Sequence, residues 1–249
     1  MSAFETIMYK GFLGSYLESV GTQTGAGFFA LIVLAFLVMT VLPYTLGSLN
    51  FAIIISRTFY HEDIRTFGSG NAGMTNMLRT YGKGAAAATF IADAMKAVVA
   101  VLVGRLVFGI IGAYVAGLSC ILGHIFPVFY KFKGGKGVVT AAIMIFMTNW
   151  KVGLVLLAIF VILVAFTKYI SLGSVMCVLL YPLILNRMNI PAIMKYPAPM
   201  FVYLFAIALT VVIVVKHASN IKRLLAGTEN KLSFSKKDKK PADAAKAEK

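Results

Sequence analysis

Seven apolar runs separated by short polar connectors fill most of the chain, at about 28–56, 84–104, 106–130, 138–148, 152–167, 172–185 and 199–215. A helix needs about 20 such residues to cross the ~30 Å hydrocarbon core of a bilayer. A water-soluble domain of 249 residues, 59% of them hydrophobic and 13% charged, could not hide so much apolar surface. The expected fold is an all-α polytopic membrane protein with seven transmembrane helices, the fourth and sixth short. Five spans is the alternative count.

The charges follow that frame. Lys and Arg number 24 against 9 Asp and Glu, a net +15 that in a soluble chain would suggest a nucleic-acid partner. Here the cations flank apolar runs, so they set topology first, with anionic lipid headgroups as a second use. One side carries Arg57, Arg65, Arg79, Lys83, Lys131, Lys133, Lys136, Lys168, Lys216, Lys222, Arg223 and the tail. The other carries only Lys10, Arg105, Lys151, Arg187 and Lys195. The positive-inside rule then places the N-terminus outside and the C-terminus in the cytoplasm, and no nucleic-acid partner is expected.

Residues 1–27 form an expected N-terminal interfacial extension, with Phe12, Tyr16 and Leu17 at helical spacing. Residues 28–232 are the membrane domain, and 233–249 are an expected disordered basic tail. No cleavable signal peptide is evident. Cys120 and Cys177 stand alone in apolar stretches, which argues against zinc and disulfides; neither metal nor cofactor is expected.

Polar sequence clusters in the connectors of the predicted cytoplasmic side. Phe67 to Arg79 contains Ser69, Gly70, Asn71, Gly73, Thr75 and Asn76. Such a loop opening into a helix suits a phosphate held by backbone N–H groups, or it is an ordinary Gly/Asn turn. Gly123 to Gly137 contains His124, then Lys133, Gly134, Gly135, Lys136 and Gly137. Its lysines either neutralise a phosphate or simply mark topology; GxxxxGK(S/T) is not met. Ser171 and Ser174 open a helix as caps or ligands, and His217 and Asn220 follow the last span. Asp93 and Lys96, at i and i+3 inside the second span, are expected to pair with each other. None of the three histidines has a carboxylate partner evident in the sequence.

The strings Gly68 to Arg79, Gly123-His124 through Gly137, and Tyr169 to Ser174, with His217, Asn220, Arg223, Gly227 and Glu229 behind them, resemble the bacterial membrane glycerol-3-phosphate acyltransferases that use acyl phosphate. The likeness runs from about Leu42 to Leu232; Met74 departs from the family's usual alanine. It implies a seven-helix enzyme of the bacterial inner membrane, its site facing the cytoplasm. The reaction would move an acyl group from acyl phosphate to the 1-hydroxyl of glycerol 3-phosphate, giving lysophosphatidic acid and phosphate. By the family pattern Ser69, Arg79, Lys136, Ser174, His217 and Asn220 would meet substrate, with His124 nearby. Membrane lipids and the soluble enzyme that makes acyl phosphate are the further candidate partners.

This chemistry suits the residues. Acyl phosphate carries its own leaving group, so positioning two anions and stabilising charge is the main task. The amides of Ser69 to Gly73 and Gly134 to Gly137 would hold the donor phosphate, Arg79 and Lys136 would neutralise charge, and Ser174, His217 and Asn220 would orient glycerol 3-phosphate. A transporter for organic phosphates is the rival, but no internal repeat is visible. An acyltransferase using thioesters through His-x-x-x-x-Asp is not supported, since Thr66, Phe129 and Lys222 stand five after the histidines.

Overall fold

The computed structural model describes residues 3–20, 25–188 and 200–232, with side chains from Lys10 onward. The expected disordered tail, 233–249, lies outside them, as does most of the connector before the last span. The described residues are helical, without strands. They divide into two compact units, one built from Met1–Leu49 and Asp93–Thr148, the other from Asn50–Ala92 and Asn149–Lys249.

In the first unit, α1 (Ala3–Val20) is broken at Gly11, and α2 (Ala26–Ser48) is apolar throughout. The second half of α1 packs rather than floats. Leu13 is buried with Ala35 and Met39 of α2, against Leu17, Val107, Phe108 and Val115. The long helix labelled α5 (Lys83–Ile125) is interrupted by non-helical dihedrals at Phe108 and Gly109. There the chain reverses. Lys96 Nζ lies 2.9 Å from His124 Nδ1, whereas in a straight helix residues 28 apart would be ~42 Å apart. Gly109 takes φ 54, a left-handed value that glycine adopts without strain, and Gly104 and Gly112 let the two arms touch backbone to backbone. α6 (Val138–Thr148) has 11 residues, about 16 Å, and is short as expected. Arg105 Nη1 donates to the Met147 carbonyl (2.7 Å) near its C-terminus.

In the second unit, α3 (Phe51–Tyr60) begins where the sequence showed one continuous span. Leu49 turns extended, and the Asn50 side chain accepts from Ile53 N at 3.2 Å, so a new helix starts inside the apolar run. α4 (Met74–Tyr81) follows the first glycine-rich loop. α7 (Trp150–Thr167), α8 (Ile170–Met188) and α9 (Phe201–Lys216) pack in sequence order. α8 corrects the expectation of a short sixth helix: it has 19 residues, because helical hydrogen bonding continues through Asn186 and Arg187 after hydropathy has fallen. α10 (Ala218–Leu225) bends away from α9 by 61°.

Among the described residues four helical stretches are long and apolar enough to cross a membrane, five if α9 and α10 form one span; α5, folded back on itself, is one of the four. α7 turns Leu154, Leu157, Val161, Ile162 and Phe166 outward, an apolar face that only lipid can cover without cost.

Candidate active site

The polar motifs form separate constellations in the two units. In the second unit, Asn76 in the first turn of α4 organises the loop before it. Its Oδ1 accepts from Ser69 N (3.0 Å), and its Nδ2 donates to the carbonyls of Ile64 (3.1 Å) and Phe67 (2.9 Å). Asn76, expected on substrate, is thus spent on shaping the loop; a buried amide cannot leave its partners cheaply. The N–H groups of Gly70 and Gly73 bond to Phe67 O and Asn71 O, so they too serve the turn. Among the described residues the Ser69 hydroxyl, the Asn71 amide and the Thr75 hydroxyl make no hydrogen bond, and Gly73 gives α4 no side-chain cap.

Arg79, half-buried in the last turn of α4, makes one long bond among the described residues, Nη2 to Asn230 O at 3.4 Å. Burial lowers its pKa from the ordinary arginine value, opposed by Glu229 and aided by Arg223. A guanidinium never loses its proton under such conditions, so most of a five-donor fork remains available to an anion.

Beside it stands Glu229, to which the sequence pattern assigned no role. Glu229 Oε1 accepts from Ser171 Oγ (3.0 Å) and Asn220 Nδ2 (2.8 Å), and its Oε2 from Arg223 Nε (2.7 Å). Burial would raise its pKa, but the bonds from Asn220, Arg223 and Ser171 outweigh that and hold it below the usual carboxylate value. Ser171 and Asn220, both expected among the substrate-binding residues, bond to Glu229 and so tie α8 and α10 together. The Ser174 hydroxyl donates to Ile170 O (2.9 Å) within its own helix. His217 is buried at the α9–α10 bend with Nδ1 2.8 Å from Ile213 O. A carbonyl only accepts, so Nδ1 carries the proton, and in the neutral ring Nε2 is an acceptor.

In the first unit the expected Asp93–Lys96 pair is present, 2.7 Å from Nζ to Oδ1, but it is not alone. The approach is poorly aligned for a hydrogen bond, so charge attraction holds it. Lys96 also donates to Gly47 O (3.1 Å), Leu49 O (2.8 Å) and His124 Nδ1 (2.9 Å), and that nitrogen lies 3.6 Å from Asp93 Oδ1. His124 therefore has the carboxylate neighbour its sequence context lacked; the α5 reversal supplies it. An ammonium has donors only, so His124 Nδ1 accepts and Nε2 carries the proton.

The lysine-glycine loop closes α5. Gly134 N donates to Ile125 O (3.2 Å) and Gly135 N to His124 O (3.1 Å), and a Cβ on Gly134 would collide with the His124 carbonyl. These two amides cap the end of α5. Gly137, at φ 77, starts α6, its carbonyl accepting from Thr140 Oγ1 (2.9 Å). Lys133 is exposed and Lys136 half-buried. Among the described residues no three His, Cys, Asp or Glu gather as a metal site.

The family model described as glycerol-3-phosphate acyltransferase matches residues 37–227. A glycerol-3-phosphate acyltransferase of Thermoanaerobacter sp. (strain X514) is 42% identical over 196 residues, 77% of this chain and 93% of the relative. That of Finegoldia magna is 40% identical over 200 residues, 79% and 96% of the two chains. Among solved structures, PlsY (YgiH), an integral membrane glycerol 3-phosphate acyltransferase, in its glycerol 3-phosphate form superposes with a TM-score of 0.72. It shows 33% identity, over 80% of this chain and 96% of that one. Its lysophosphatidic acid form gives 0.70 at 32% identity, with the same coverage. The matched residues take in both glycine-rich loops and the α5 reversal, and the chain belongs to the glycerol-3-phosphate acyltransferase family of integral membrane proteins.

Proposed function

We propose that the enzyme acylates the 1-hydroxyl of glycerol 3-phosphate with acyl phosphate as donor, releasing lysophosphatidic acid and inorganic phosphate. The observation that carries this reading is Arg79: among the described residues it is a half-buried guanidinium with one 3.4 Å bond, on the helix that follows a loop whose Ser69, Asn71 and Thr75 side chains make no hydrogen bond there. Fixed cations and hydroxyls in a partly dry setting bind phosphate strongly and stabilise developing negative charge. Ser69, Asn71, Thr75 and Arg79 are the phosphate-binding set of the second unit, and Lys133, Lys136 and Gly137 that of the first. His217 orients the glycerol hydroxyl through its Nε2 lone pair. Asn76, Gly134, Gly135, Ser171, Ser174 and Asn220 hold this machinery in shape.

The hydroxyl oxygen attacks the acyl carbon, the new C–O ester bond forms, and the bond from that carbon to the phosphate oxygen breaks. The hydroxyl proton ends on the departing phosphate. His124 is a poor candidate for base because its Nδ1 lone pair faces the Lys96 ammonium and its Nε2 is already protonated.

The same reading takes each α5 arm as a span and gives seven crossings, with the N-terminus outside and residues 233–249 as a basic cytoplasmic tail. It places the enzyme in a bacterial inner membrane with the 28–232 domain's chemistry toward the cytoplasm. There it would draw its donor from the soluble enzyme that makes acyl phosphate. Purified protein should convert acyl phosphate and glycerol 3-phosphate to lysophosphatidic acid in the presence of a chelator and refuse acyl-CoA. Turnover with acyl-CoA alone would overturn the donor assignment.

A further inference from the structure

A groove of about 500 Å³ runs between α4 and the start of α5, lined by Met74, Leu78, Lys83, Ala86, Ala87 and Phe90. That volume lies within the range of small-ligand sites, but the wall is almost wholly hydrocarbon, with Lys83 the one cation. Met74 and Leu78, at i and i+4, share a face of α4; Ala86, Ala87 and Phe90 share one of α5. Lys83 to Phe90 covers ~10 Å of helix axis, about a third of the hydrocarbon thickness. The groove therefore follows a helix that leads from a charged end into the apolar span.

One of its lining residues adjoins the first glycine-rich loop in the chain. Met74 is the first residue of α4, directly between Gly73 and Thr75, with the uncommitted Ser69 and Asn71 side chains just before it in the chain. A ligand with an anionic end and a long methylene chain fits both parts. An acyl phosphate is such a ligand, and an ordinary bilayer lipid is the competing occupant.

Resting on the acyl-phosphate reading above, we propose that this groove takes the acyl chain of the donor and that Met74 sets the chain length accepted. Methionine is unbranched and turns about three bonds, so its thioether can fill the groove in part and yield to some chains more readily than others. Ala86 and Ala87 leave the space, and Phe90, half exposed on α5, bounds it on the opposite side from α4. Selection here is steric, and each methylene that fits or fails to fit shifts kcat/KM by about tenfold or more.

The test uses the full chain in nanodiscs with acyl phosphates graded from butyryl through lauroyl to stearoyl. Met74→Ala should move the preference toward longer chains, raising the stearoyl-to-lauroyl ratio of kcat/KM by about tenfold. Ala87→Phe should lower the palmitoyl-to-butyryl and stearoyl-to-butyryl ratios of kcat/KM by a similar factor. Should Ala87→Phe fail to fold, the Met74→Ala profile decides. Profiles parallel to the parent's in the folded variants would overturn the proposal and leave the groove to bilayer lipid. If the parent uses only acyl-CoA, the donor reading fails on its own, and the same graded series run with acyl-CoA still judges the groove.

Discussion

Both units bury a carboxylate beside a cation and hold a histidine nearby, yet they put these groups to different ends. In the first, Asp93, Lys96 and His124 lie inside the α5 hairpin, with Asp93 and Lys96 each 3% exposed at the side chain. In the second, Glu229 sits among Ser171, Asn220 and Arg223 at helix ends, and Arg223 keeps 27% exposure. Both partners are sealed in the first cluster; in the second the carboxylate is sealed, Glu229 being 4% exposed at the side chain, and the cation is not. The histidines differ in the same way. His124 faces an ammonium through Nδ1 and carries its proton on Nε2, whereas His217 faces a carbonyl and carries its proton on Nδ1. Which proton a ring carries is thus decided by the neighbour of its other nitrogen.

The contrast breaks first at Lys96. Lys96→Met leaves Asp93 charged and unpaired within the span and removes the clamp on the carbonyls of Gly47 and Leu49. The expected cost is about 3–5 kcal/mol in denaturant unfolding, with part of it restored by Asp93→Asn in the same chain. Arg223→Met should cost clearly less, since Glu229 keeps its bonds from Ser171 and Asn220. Equal losses would mean that the two clusters do not differ in solvation as their exposures indicate.

Next in size are the cations assigned to substrate. Arg79→Ala and Lys136→Ala should each lower kcat/KM at least about a hundredfold, ~2.7 kcal/mol or more of transition-state stabilisation, without a matching loss of folded stability. Near-normal turnover in both would remove phosphate binding from these two residues.

Asparagine at each histidine sharpens the proton assignment, because its amide can replace Nδ1 but nothing replaces Nε2. His217→Asn keeps a donor for Ile213 O and should lower kcat/KM about tenfold, the scale of one hydrogen bond. The acid limb of its pH–rate profile should stay where the parent's lies. A loss of a hundredfold or more with that limb abolished would make His217 the base and displace the substrate phosphate from that role. His124→Asn keeps an acceptor for Lys96, so any loss of rate it shows reports the Nε2–H alone.

The apolar helices were legible because burial in lipid demands an apolar run whatever else the helix does; 138–148 matches α6 residue for residue. The chain reversal also left a mark, the charged Arg105 between two apolar runs, although the turn itself falls at Phe108 and Gly109. The break at Leu49 did not show, since hydropathy is blind to one buried asparagine competing for backbone donors. The motif residues were found by type, but type does not say whether a side chain faces substrate or scaffold. Asn71 and Asn76 look alike in the string, and only Asn76 is consumed by Ile64, Phe67 and Ser69. Glu229 was hidden for a similar reason: its partner Ser171 is 58 residues away in the chain.

The smallest expected effect separates charge from shape at Glu229. Burial would raise its pKa, but the bonds from Asn220, Arg223 and Ser171 hold it below the ordinary value of 4.5. A carboxylate with a depressed folded-state pKa contributes stability that is present above its unfolded pKa and is lost as pH falls through the folded value. Glu229→Gln keeps an oxygen for Ser171 and Asn220 while giving up the charge that meets Arg223. Near neutral pH it should cost about 1 kcal/mol. The parent should then lose stability more steeply than the variant as pH drops below about 4.5, so that the gap between them narrows on acidification. A gap that is constant with pH would mean that Glu229 acts by hydrogen bonding alone, and that Arg223 gains nothing from its charge.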